Sequence, residues 1–367
     1  MSIIIFIIIL LVLVVVHEFG HYIVAKKNGI RVDEFGFGYP PRAMKLFRKW
    51  DTDFTLNWIP FGGFVKIYGE DPNEENTNGT DKDRALVNKP ARVQAAVLVA
   101  GVVFNLILAW LLLSVGFMSG RPSSVSGTQL SEFVQDPKLT IVQVMKDSPA
   151  QEGGLQLGDV VVGAKTNSGT LDTFSQAGLI SFVSTTKENE KITFTIERKG
   201  NSFEKEVTPR EGVVEGKRAI GVSSDVIGVL KLPVHKALVE GTKETWQMTK
   251  GTALSLGILV RDSFLGKADI NNLSGPVGIV GIVGDAADFG FIYLMSFTAL
   301  ISINLAIINL IPFPALDGGR LLFLLIEKIK GSRINPKISN TLNTVGFFLL
   351  IALMLIVTYH DIAKIVS

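Results

Sequence analysis

Apolar residues in this chain gather into blocks instead of spreading evenly. Residues 3–16 are apolar without interruption. The run continues through His17, Glu18 and His21 to Ala25, about 23 residues or roughly 34 Å of helix, enough to cross a bilayer. Three further stretches, 93–118, 291–313 and 345–360, have the same character. Four transmembrane helices are therefore expected. The first block has no basic residue before it and no small-residue cleavage site after it, so it reads as a span and not as a secretory signal.

The polar stretches between these blocks carry their own patterns. Residues 53–70 are rich in strand formers around Gly62-Gly63 and read as a β-hairpin. Residues 70–83 are acidic and punctuated by glycine and proline, the pattern of a loop. From 126 to 212 the chain reads as a small β-rich unit, with strands near 140–145, 160–164, 191–198 and 202–208. The last two are joined by the turn signal Lys199-Gly200-Asn201. Residues 235–266 form an amphipathic helical stretch suited to a membrane surface or to packing on the β-rich unit. Residues 273–290 are apolar but glycine-rich, which predicts a poor continuous helix. The division is an N-terminal membrane core (1–118), an external β-rich domain (119–212), a connector (213–290) and a C-terminal membrane core (291–367).

Composition changes this picture little. Of 367 residues, 47% are hydrophobic and the net charge is +2. A near-neutral chain does not imply nucleic acid as a partner. No cysteine is present, which excludes disulfides and thiolate metal sites. Charge placement says more. Lys26, Lys27, Arg31, Arg42, Lys45, Arg48 and Lys49 follow the first span; Lys328, Lys330, Arg333 and Lys337 separate the third and fourth. The positive-inside rule makes both loops cytoplasmic, and places both termini and residues 119–290 outside.

The first span carries the chemistry. His17-Glu18-Phe19-Gly20-His21 fits H-E-x-x-H. Residues four apart share a helix face, so two imidazoles converge on one metal while Glu18 stands ready to take a proton from a water. With only 4 histidines in the chain, a chance match is expected about 0.002 times. Ionisable groups inside a span are costly and need a partner. A catalytic zinc takes three protein ligands and keeps one position open. His235 and His360 are isolated. Asp317 follows the third span in a segment where Pro312 and Pro314 break the helix and Gly318-Gly319 permit a sharp bend. Locally, Asp317 reads equally well as a turn-forming Asp-Gly pair. Topology favours the ligand, because both motifs then fall near the inner ends of parallel spans.

These features resemble the site-2 protease family, specifically its RseP-like bacterial branch with a PDZ domain. HEFGH is similar to the family's zinc motif, and Asn309-x-x-Pro312-x-Pro314-x-x-Asp317-Gly318 to its second motif. The resemblance implies a polytopic α-helical membrane protein with a membrane-associated β-hairpin and one inserted PDZ-like domain. It implies one Zn²⁺ per chain on His17, His21 and Asp317, with Glu18 as base. It also implies Asn309 as a contact for the substrate backbone, with Gly62, Gly63, Pro312 and Pro314 in the substrate-binding region. Residues 59–70 resemble the hairpin that presents substrate as a strand, 148–165 a protease-type PDZ segment, and 274–279 a segment common before the third core span. The implied substrates are single-span membrane proteins, such as anti-sigma factors or signal-peptide remnants, with an upstream site-1-type protease as partner and the cytoplasmic membrane as location. The best-known members carry two tandem PDZ units, whereas about 90 residues leave room for one. A catalytically inert PDZ-bearing adaptor would have lost Glu18. A metal transporter would spread acids and histidines over several spans.

Overall fold

A computed structural model of the protein describes residues 1–70, 74–125, 130–198, 200–214, 217–267 and 275–366. Parts of the expected segments lie outside these residues: 71–73 of the acidic loop, 126–129 at the start of the β-rich unit, Lys199 of the turn, and 215–216 and 268–274 of the connector, the last including the start of the glycine-rich segment.

In chain order the elements are α1 (Ser2–Lys27), β1 (Val32–Lys49), β2 (Thr52–Ile67), α2 (Glu74–Asn78), α3 (Ala91–Ser119), β3 (Arg121–Ser124), β4 (Val134–Val144), α4 (Pro149–Glu152), β5 (Val160–Lys165), α5 (Gln176–Thr185), β6 (Ile192–Arg198), β7 (Asn201–Val207), β8 (Arg210–Val214), β9 (Lys217–Ala219), β10 (Val222–Leu230), α6 (Val234–Phe264), α7 (Pro276–Phe289), α8 (Phe291–Leu310), α9 (Asp317–Lys330) and α10 (Pro336–Val366). Four of these helices, α1, α3, α8 and α10, are long and apolar enough to cross a membrane. Contacts divide the chain into two compact units, residues 1–116 with 234–367 and residues 117–233.

In the first unit, α1 is the hub. Its apolar length packs Ile9 and Leu13 against Val283 of α7. Further along, Tyr22 and Ala25 pack with Ile30, Val32, Phe35 and Ile67 at the base of the hairpin. The hairpin turn is Trp50-Asp51, not Gly62-Gly63 as the pattern of apolar residues suggested. Trp50 and Asp51 both adopt positive φ (51° and 58°), the geometry of a two-residue turn whose twist matches paired strands. Lys49 pairs with Thr52 across it. Gly62 and Gly63 lie instead within β2, and Phe35 has partners on both sides, Val65 and Phe54. The bends that let one strand fold back beside itself draw on Gly62, whose φ is +84°.

The glycine-rich segment is the second departure. Residues 276–289 form α7, a regular helix. Packing supplies what intrinsic propensity lacks. Val283 is fully buried, and the N–H groups of Gly275, just before the helix, and Gly278, in its first turn, donate to the Asp361 carboxylate at 3.1 and 2.8 Å. An acceptor from α10 thus caps the start of α7.

The second unit holds a six-stranded sheet in the order β3-β10-β4-β5-β6-β7. Alternating side chains of β4, β5 and β6, among them Leu139, Ile141, Val161, Ile192, Phe194 and Ile196, form its core with Leu179 and Val183 of α5. Asp159, fully buried, is held by Arg198 through hydrogen bonds of 2.6 and 2.8 Å. Strand β10 falls in the stretch expected as connector. It closes the sheet by pairing with both β3 and β4.

Candidate metal centre

The spacing of His17 and His21 works as the helix predicts, with both imidazoles on one face of α1 and ring centroids 4.8 Å apart. Both side chains are buried, at 6% exposure. His21 Nδ1 lies 2.8 Å from the Val97 carbonyl of α3. A carbonyl only accepts, so Nδ1 carries the proton and Nε2 keeps its lone pair for the interior of the cluster. His17 directs Nε2 to the same point, 3.2 Å from His21 Nε2.

Asp317 arrives from the far end of the chain. Helix α8 stops at Leu310, and α9 begins at Asp317. The reversal is carried by Ala315, at φ 76°. Gly318 and Gly319 sit inside the first turn of α9. A side chain there would strike the Ile311 and Phe313 carbonyls at 2.2 Å, so these glycines permit close approach and not the sharp bend expected of them. The result sets Asp317 Oδ2 3.0 Å from His17 Nε2 and 3.4 Å from His21 Nε2.

Three donors at 3.0, 3.2 and 3.4 Å from one another describe one face of a tetrahedron. Zinc–ligand bonds of about 2.0–2.1 Å in tetrahedral geometry separate donors by roughly 3.3 Å. The donor types suit zinc as well. Space is reserved too. A Cβ on Gly101 of α3 would lie 2.5 Å from His21 Nε2 and 2.7 Å from His17 Nε2, so only glycine leaves the cluster open there. Among the described residues this is the one grouping of three acidic or histidine side chains close enough to share an ion.

Glu18 points elsewhere. Its Oε2 accepts the Val65 backbone N–H of β2 at 3.1 Å, which ties the glutamate to the hairpin. Asn309 Nδ2 stands 3.4 Å from His17 Nε2. Gly62 and Gly63 approach Val14 and Val15, one turn before the histidines. Pro314 is not gathered into the cluster; it backs onto α10 at Gly346. Pro312 lies in the α8–α9 loop. His235 is on α6 and His360 on α10, outside the grouping.

Comparison with known proteins bears directly on this arrangement. The model of peptidase family M50 matches residues 5–353. The chain belongs to peptidase family M50, the site-2 proteases. It is similar to a Clostridium acetobutylicum protein described as a zinc metalloprotease, 33% identical over 351 residues, covering 96% of this chain and 94% of that one. The regulator of sigma-E protease RseP of Salmonella typhimurium is 30% identical over 453 positions, with 98% of each chain covered. The zinc metalloprotease RasP of Geobacillus kaustophilus is 30% identical over 443 positions, covering 99% and 98%. Both of these alignments are longer than the 367 residues of this chain, so those two relatives carry sequence without a counterpart here. This protein is an intramembrane zinc metalloprotease with several membrane spans.

Four features of the candidate site escaped the sequence: Asn105, whose Nδ2 lies 3.2 Å from His17 Nδ1, Gly101, the Val97 carbonyl and the Val65 N–H. Asn105 left a signal, as an amide inside an apolar span whose presence is costly and functional by default. The other three depend on contacts between elements and left none.

Proposed function

We propose that His17, His21 and Asp317 hold one zinc ion per chain and that Glu18 is the catalytic base and acid. Zinc supplies Lewis acidity toward a peptide carbonyl and acidifies a water toward neutral pH. Glu18 takes the proton of the attacking water as the new C–O bond forms, and returns it to the leaving amine as the C–N bond breaks. The Val65 N–H holds one carboxylate oxygen during both transfers. Asn309, beside His17, is placed to donate to the substrate backbone.

The observation that carries this reading is the contact between Glu18 and β2. It sets the proton-transfer group against an extended strand, next to three metal-type donors, two buried and one half-buried. A substrate helix shields its carbonyls within its own hydrogen bonds. Pairing with a strand edge holds the unwound segment extended. Gly62, Gly63, Pro312 and Pro314 would border that path. The preferred substrates are single-span membrane proteins. The names of the sigma-E relatives support anti-sigma factors; a first cut by another protease is part of the same proposal. The basic loops support an active site toward the cytoplasm, with both termini and the β-rich unit outside and the hairpin associated with the membrane. A single sheet-and-helix unit of residues 117–233 supports one PDZ-like domain. Its separation from the metal donors along the chain suits a role in substrate selection.

The test is cleavage by purified protein in lipid nanodiscs containing a single-span substrate, with products mapped by mass spectrometry. Cuts within the apolar segment, lost with a chelator and restored by zinc, are expected. Cuts confined to the parts outside the bilayer would contradict the reading.

A further inference from the structure

Asn105 sits near the middle of α3, a 29-residue apolar helix, and is fully buried. An amide in that setting needs partners. One is clear: Asn105 Nδ2 lies 3.2 Å from His17 Nδ1. The other end of the amide, Oδ1, is buried with no hydrogen-bond partner. The helix is pinned at this level, because Ser302 of α8 donates its hydroxyl to the Asn105 carbonyl at 2.8 Å. The side chain is therefore delivered to His17 by two helices.

The His17 ring has only two nitrogens, and Nε2 faces the cluster. In the ring tautomer with its proton on Nε2, that nitrogen can donate to Asp317, and Nδ1 accepts from the Asn105 NH₂. When Nε2 gives its lone pair to a cation, the proton belongs on Nδ1. An NH₂ facing an N–H is then two donors in conflict. A half-turn of the amide presents Oδ1 instead, and the atom without a partner becomes the acceptor.

We infer that Asn105 is a positioning residue for His17, an amide that accommodates both ring tautomers and fixes the one in which Nε2 is available to metal. His21 has a fixed acceptor for this purpose, the Val97 carbonyl; His17 has a rotatable one. The inference rests on His17 being a zinc ligand.

The experiment measures zinc affinity of the full-length protein in nanodiscs by chelator competition, for wild type, Asn105→Leu and Asn105→Asp. Leucine has a similar shape but cannot accept a hydrogen bond, and should weaken zinc roughly 10–100-fold, the usual loss when the partner of a ligating histidine is removed. Aspartate accepts at the same place and should bind at least as tightly as wild type. A merely space-filling role predicts the opposite ranking, since leucine packs well and a buried carboxylate does not. Zinc affinity of Asn105→Leu within twofold of wild type overturns the inference, as does aspartate binding more weakly than leucine. Should Asn105→Asp fail to fold, the leucine result alone decides. If wild type itself binds no zinc, the metal site is refuted instead, and the two failures are told apart.

Discussion

The backbone N–H of Val65 donates to the Glu18 carboxylate at 3.1 Å. This bond joins the hairpin to the span that bears HEFGH, so the strand and Glu18, the proposed base, are positioned together. A second link is the ion pair between Arg320, one turn along from Asp317, and Glu70 at the hairpin's exit. The segment that carries Asp317 and the strand are thereby held from both sides.

Disturbing the hairpin should harm substrate handling more than metal binding. Gly63 faces the Gly36 carbonyl so closely that a Cβ would lie 2.8 Å from it. Gly63→Pro also removes a ladder N–H. Cleavage of a membrane substrate should fall at least about tenfold, as expected when a positioning contact is lost, while bound zinc, measured by mass spectrometry, stays near wild type. Normal cleavage would reject strand presentation.

Gly101→Ala should act on the metal instead. The added methyl would sit where the two Nε2 atoms converge. Overpacking of about 1–3 kcal/mol corresponds to roughly a 5–150-fold loss of zinc affinity. A chelator titration giving wild-type affinity would mean that α3 does not border the ion.

The orientation can be read with single thiols, because the chain has no cysteine of its own. Gly79 is a poor position, as a side chain there would meet the Glu75 carbonyl at 2.2 Å. Asp83→Cys, exposed in the same loop, should be shielded from an impermeant reagent in intact cells, while Ser168→Cys is labelled. The reverse pattern would invert the topology.

The β-rich unit of residues 117–233, the proposed PDZ-like domain, should govern which substrates enter. Arg121 pairs with Leu230, so the two ends of the unit lie side by side and a short flexible linker can replace residues 121–230 without stretching the chain. If the unit excludes bulky substrates, this variant should cut short-ectodomain substrates as before and newly accept long ones. If it captures a freed carboxyl terminus, trimmed substrates should be cut less and long ones remain uncut. Exclusion is the expected result. Unchanged selectivity with both lengths would remove the unit from substrate choice.

Local signals were legible in the sequence and cross-element ones were not. The four apolar helices and HEFGH follow from composition and a four-residue spacing within one segment. Asp317 needed span order as well, which the charged loops supplied. The hairpin turn was misplaced because Gly62-Gly63 carries the familiar turn composition, whereas Trp50-Asp51 turns by adopting left-handed backbone without glycine. Helix α7 was missed because the Asp361 carboxylate and the packing of Val283 outweigh its glycines. Strand β10 was missed because its partners, β3 and β4, lie about a hundred residues earlier. Nothing near Asn105 or Val65 in sequence announces His17 or Glu18.

The most direct test compares wild type with Glu18→Gln, measuring zinc content and substrate cleavage on the same preparations. Glutamine keeps the side chain's size and can still accept the Val65 N–H, but it cannot take a proton. Zinc should remain close to one per chain, and cleavage should fall about 10²–10⁴-fold or more. Cleavage within a few-fold of wild type at full zinc occupancy would contradict Glu18 as the base and the mechanism built on it.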